Sequence, residues 1–145
     1  MTNPEIPASL GEALATEPLW LKAWLGVLGG SLMLALAFVA HRADERWRVR
    51  REPIAVLLSL VAAAVLMEWL YGQVGYVRLL GVAHLVCWTP VYLWILSRRG
   101  SIPSGSLFSK WIALYLVVVT ISLVIDLVDV IRYLAGDGQL LHRWS

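Results

Sequence analysis

Apolar positions in this chain neither alternate nor recur at a helical period. They run on in four long blocks, about residues 19–40, 53–71, 79–96 and 111–134, parted by short polar breaks. A helix needs about 20 such residues to cross about 30 Å of hydrocarbon. In lipid the backbone satisfies its own N–H and C=O groups only as a helix or a closed barrel. The pattern predicts an all-α polytopic membrane protein, a single four-helix transmembrane bundle over residues 1–145. Pro90 lies within the third and shortest block and marks a kink or hinge. The fourth block is long enough to tilt or to project beyond the lipid.

The breaks carry their own signals. Pro53 suits a helix start, where its missing N–H costs nothing. Residues 102–106 (IPSGS) read as a flexible turn. Residues 8–15 can form a short surface helix capped by Ser9, with Glu12 completing a capping box. The second and fourth blocks end alike, in WLYG at 69–72 and YLAG at 133–136. This is a faint sign of a duplicated two-helix unit.

Charge distribution adds an orientation. Residues 41–52 hold Arg42, Arg46, Arg48, Arg50 and Arg51, and residues 97–110 hold Arg98, Arg99 and Lys110. Together these are 8 of the 12 basic residues. Basic connections stay in the cytoplasm, so both termini are expected outside, N-out and C-out, in a plasma (inner) membrane. Trp20, Trp24, Trp69, Tyr71 and Tyr76 then fall near the outer surface, and Trp47, Trp94 and Trp111 near the inner one, at headgroup level. On a helical turn Arg42, Arg46 and Arg50 would make one cationic face for anionic lipid headgroups. Residues before Trp20 include Glu5, Glu12 and Glu17 and no Lys or Arg. A secretory signal begins with basic residues, so the first block is expected to remain as a spanning helix.

Composition narrows the classes. The chain is 59% hydrophobic and 15% charged, with a mean hydropathy of +0.72. A soluble domain carries about 25% charged residues. A net charge of +2 is too small to suggest nucleic acid. The single cysteine, Cys87, has no partner for an intrachain disulfide and reads as a small buried hydrophobe.

Ionisable residues inside spans are costly and tend to face protein or water. Glu68 and Asp126 each sit 15 residues from the cytoplasmic start of their block, or about 22 Å up at 1.5 Å per residue. His84 enters from the outer end at a similar level, with Asp129, Arg132, Arg78 and Lys22 slightly further out. This is one polar layer drawn from all four helices. Ser122, Asp126, Asp129 and Tyr133 form one helical stripe, continued below by Tyr115. Gly81, His84, Trp88 and Tyr92 form a second, and Ala64, Glu68, Gly72 and Gly75 a third. Gly26 and Gly30 make a GxxxG, whose small residues allow close helix approach.

Glu68, His84, Asp126 and Asp129 are therefore the candidate ion or ligand site, with Lys22, Arg78 and Arg132 as charge partners. The alternative is that these groups only neutralise one another. Their ligand types would suit a metal, but the spacing is no metal motif. His41 and His142 lie too far from His84 to pair with it on a haem. No nucleophile–base set, phosphate loop or metal signature is present, so neither enzymatic activity nor a cofactor is expected. Three functions fit: an oligomeric cation or proton channel or transporter, a non-catalytic subunit docking another membrane protein, and a quinone or lipid-tail site lined by Trp88 and Tyr92. The expected partners are the bilayer, anionic lipids at the basic loops, and a second copy or another membrane protein. The orientation has a direct test. A reporter fused after Arg99 should read cytoplasmic and one fused after Ser145 external; finding both on one side removes the even number of spans.

Overall fold

The computed structural model describes residues 7–75 and 77–137. Tyr76 and His142 lie outside the described residues. The described residues are 78% helical and include four helices long and apolar enough to cross a membrane. It is an all-α, membrane-embedded protein.

The chain opens with α1 (Leu10–Ala15), whose N-cap Ser9 accepts a hydrogen bond from the Glu12 amide. The Glu12 carboxylate reaches back to the Ala8 amide at 2.9 Å, so the first amides are satisfied reciprocally. Leu10 and Ala13 pack with Tyr71 and Leu80, and the Tyr71 hydroxyl donates to the Pro7 carbonyl. These contacts lay α1 across the ends of the second and third spans.

The first span is α2 (Leu19–Met33) continued by α3 (Ala35–Phe38). The others are α4 (Arg51–Val74), α5 (Gly81–Arg98) and α6 (Leu107–Leu134). α5 remains helical through Pro90, which is exposed. α6 is the most buried of the four. It packs against α2 and α5, and α5 in turn packs against α4. Phe108, Trp111, Ile112, Tyr115, Leu116, Val118 and Val119 of α6 meet Leu28, Leu32, Val56, Ala63, Trp88 and Ile95 in one core.

Trp111, expected near the inner surface, faces into the bundle. It is 3% exposed, stacks on Phe38 and donates its indole N–H to the Ser31 carbonyl at 2.9 Å. With the polar end satisfied inside, the ring no longer needs the wet boundary.

The basic connection at 41–52 is not a helical turn. β1 (Ala40–Ala43) and β2 (Arg46–Val49) pair antiparallel, with Arg42 opposite Trp47 and His41 opposite Arg48. The two-residue turn, Asp44 and Glu45, has φ of 50° and 60°, the combination whose twist suits a tight hairpin. Arg50 donates its amide to the Val39 carbonyl and closes the base. The supposed cationic face of Arg42, Arg46 and Arg50 is therefore divided. Arg42 shares a face with Trp47, Arg46 lies on the other, and Arg50 leaves the hairpin for α4. Like charges four apart on a helix repel, and the hairpin relieves this while reversing the chain in two residues.

Glu45 holds a left-handed conformation that a non-glycine residue adopts at a cost of about 1–2 kcal/mol. Glu45→Gly should stabilise the hairpin by about 1 kcal/mol, slowing amide exchange across residues 40–49 roughly fivefold. Unchanged exchange would show that the turn is not where the hairpin is strained.

Candidate functional site

Of the expected polar layer, Arg78, His84, Asp126, Asp129 and Arg132 gather where α5 meets α6, and Glu68 and Lys22 do not join them. α5 and α6 run antiparallel, and their polar stripes face each other. The first contact is backbone-close: a Cβ added at Gly81 would sit 3.1 Å from Asp126 Cβ and 3.2 Å from its Cα. A side chain there would be tighter than ordinary van der Waals contact, and Asp126 would have to give by a few tenths of an ångström. One turn deeper, His84 Nδ1 lies 2.9 Å from Asp126 Oδ2, with the two side chains 17% and 15% exposed. An ionised carboxylate there accepts from the Nδ1–H tautomer and turns Nε2 away from the pair. The His84 ring stacks on Trp88 at a centroid distance of 4.0 Å.

Below this pair the same seam stays polar. The Thr120 hydroxyl donates to the Leu116 carbonyl at 2.6 Å. Its single proton is thereby spent, so in the 2.7 Å contact between Tyr92 and Thr120 the tyrosine is the donor. The Trp88 indole N–H and the Tyr115 hydroxyl are buried with no hydrogen-bond partner among the described residues. Buried polar groups are nearly always paired, and exceptions in a native fold call for an explanation. Ser122 is buried on the same stripe.

Above the pair is an ion network. Arg78 bridges Asp129 and Asp137, the second at 3.1 Å. Asp137 also takes Arg132 at 3.0 Å. Asp137 was not among the sequence candidates. Gly136, at φ +113°, ends α6 in a conformation that favours glycine. That turn brings Asp137 back over the helix end. An acid directly after a terminal glycine is the signal that could have found it.

Glu68 does not join this cluster. It is exposed, on the outward face of α4 with Ala64 and Gly72, and makes no ion pair among the described residues. Lys22 is likewise exposed on α2, beside Gly26 and Gly30. Among the described residues, nothing lies within 4 Å of a Cβ added at Gly26, Gly30 or Gly72. The close approach expected at the GxxxG thus occurs instead at Gly81. Among the described residues, no three His, Cys, Asp or Glu side chains converge as a metal-ligand set. Cys87 is half-buried and free.

At the opposite, basic end, Arg98 Nε donates to Glu52 Oε1 at 3.0 Å, with the carboxylate side chain 11% exposed. Sequence reasoning did not pick out this pair. Its only sign was an acid just before Pro53, at a helix start where a negative charge is favoured.

No family model, curated protein or solved structure matches this chain. The functional reading therefore rests on its own side chains.

The network sets an order of stability effects. Arg78 is 22% exposed and holds two acids, whereas Arg132 is 55% exposed and holds one. Arg78→Gln should cost about 1–3 kcal/mol, between the exposed and buried limits, and Arg132→Gln less than about 1 kcal/mol. Gly81→Ala should cost about 1–3 kcal/mol by overpacking. Thermal unfolding in one detergent checks all three. Equal effects at Arg78 and Arg132 would mean that burial does not govern the network.

Proposed function

We propose that this protein carries protons into or across the membrane along the seam between α5 and α6, with His84 and Asp126 as the proton-binding pair. The observation that carries this reading is the 2.9 Å contact of His84 Nδ1 with Asp126 Oδ2 between two membrane-length helices. An imidazole and a carboxylate in contact exchange a proton without either leaving its place. Intramembrane acids and histidines of this kind mark proton relays.

The groups along the seam favour a proton over a hydrated cation. Trp88, Tyr115 and Ser122 fill the interface and are nearly inaccessible. A proton passes between neighbouring hydrogen-bonding groups, whereas a hydrated ion needs an open lumen. Tyr92 and Thr120 continue the polar line below the pair. The ion network above it supplies acids at the mouth. Glu68, named with this site from its depth, stands outside the seam and is assigned no part in the relay.

A second reading has its own support: the exposed small-residue faces of α2 and α4, each with a charge that makes no ion pair among the described residues, suit docking onto a second copy or another membrane protein. Proton flux in liposomes separates the two. Asp126→Asn keeps the shape and an acceptor for His84, and His84→Gln keeps polarity. Both should reduce flux to that of empty liposomes while the protein stays folded, and Glu68→Gln should leave flux intact. No flux from the unaltered protein, under a pH gradient of either sign, would transfer the function to docking.

A further inference from the structure

The basic end of the bundle holds a cleft of about 240 Å³ between the start of α4, the end of α5 and the start of α6. Arg50, Arg98, Glu52, Ile102 and Phe108 line it. We propose that it binds a phosphate group, that of an anionic lipid headgroup in the leaflet this end meets.

Two guanidinium groups face the cleft, and each is held by an aromatic ring. The Arg50 guanidinium carbon lies 4.2 Å from the centre of the Phe108 ring, and that of Arg98 lies 5.3 Å from the centre of the Trp94 ring. A guanidinium whose face is covered offers its N–H donors only along its edges, in its own plane. Phosphate is recognised by such an edge. The Arg50 side chain makes no hydrogen bond or ion pair among the described residues. Among the described residues Arg98 spends only Nε, on Glu52. The remaining donors are therefore unspent and already oriented, so little side-chain entropy is lost when an anion arrives.

The surroundings agree in sign and depth. α4 starts at Arg51 with no side-chain cap, and its first turn presents the positive end of a 24-residue helix. Glu52 is the one acid in the lining, and Arg98 already neutralises it. Membrane-length helices begin at Arg51 and end at Ser101, which puts the cleft at headgroup level. Ile102 and the exposed Leu107 give the apolar margin that a lipid, unlike a free anion, can use. The site keeps Arg50 from the sequence-derived cationic face but replaces its hairpin neighbours by Arg98.

The test uses the full chain in phosphatidylcholine nanodiscs, with and without phosphatidylglycerol, and native mass spectrometry to read retained lipid. It involves no flux, so it stands or falls apart from the proton reading. The unaltered protein should retain phosphatidylglycerol, and Arg50→Gln should weaken retention about tenfold, one charge-assisted hydrogen-bonding group being lost. Arg42→Gln, on the hairpin, should leave it nearly unchanged. Glu52→Gln removes the competing charge, keeps an acceptor for Arg98, and should tighten retention. That gain is not expected of a residue with a purely structural role. Thermal shift with inorganic phosphate in phosphatidylcholine alone separates the sources. A shift abolished by Arg50→Gln supports the same site with a soluble ligand, and a response to phosphatidylglycerol only supports the lipid. Equal losses from Arg50→Gln and Arg42→Gln, or no loss from either, would overturn the site.

Discussion

A charge on a membrane-spanning helix has no partner in hydrocarbon, so it must find one in the protein or reach the water boundary. The ends of this bundle are arranged around that constraint. At one end Arg78 gathers Asp129 and Asp137, and Asp137 gathers Arg132. At the other, Arg98 holds the nearly buried Glu52. The Arg78 and Arg98 pairs join residues from different elements, so they also hold the helices in register. The Arg78 contacts tie the entrance of α5 to the exit of α6, and Arg98–Glu52 ties the exit of α5 to the entrance of α4.

The deepest pair, His84 with Asp126, depends on a packing feature rather than on charge alone. Gly81 lets α6 approach α5 until the Asp126 backbone nearly touches it. At that separation an imidazole one turn along reaches the carboxylate directly. The same approach seals the seam below, which buries Trp88 and Tyr115 with their donors unspent. Close packing and unsatisfied polar groups ordinarily exclude one another, since each unpaired buried donor costs about 1–3 kcal/mol. Their coexistence on one seam sets this interface apart from that of α2 with α6, where the buried Trp111 indole N–H is spent on the Ser31 carbonyl.

The basic end is organised by aromatic rings instead. Phe38, Phe108 and Trp111 cluster there. Phe108 carries Arg50 on its face, and Trp94 carries Arg98. An arginine on a ring keeps its charge at the boundary while its stem covers apolar surface. Two arginines of the basic connections thus also shape a cleft.

The number of spans and their approximate limits were legible in the sequence, because transfer into lipid sums along a continuous apolar run and needs no tertiary knowledge. The stripe of Ser122, Asp126, Asp129 and Tyr133 was legible too, since spacing alone fixes which residues share a helix face. Which way a face turns was not. α4 is apolar around most of its circumference, so no amphipathic signal distinguishes inside from outside. Glu68 and Asp126 were expected at equal depth, yet rotation about the helix axis sends one outward and the other to His84. The hairpin was illegible for a different reason: Asp44 and Glu45 adopt positive φ without the glycine that announces such a turn. Depth is a property of position along the chain. Facing, pairing and the two clusters of charge were decided only when neighbouring helices fixed one another's rotation.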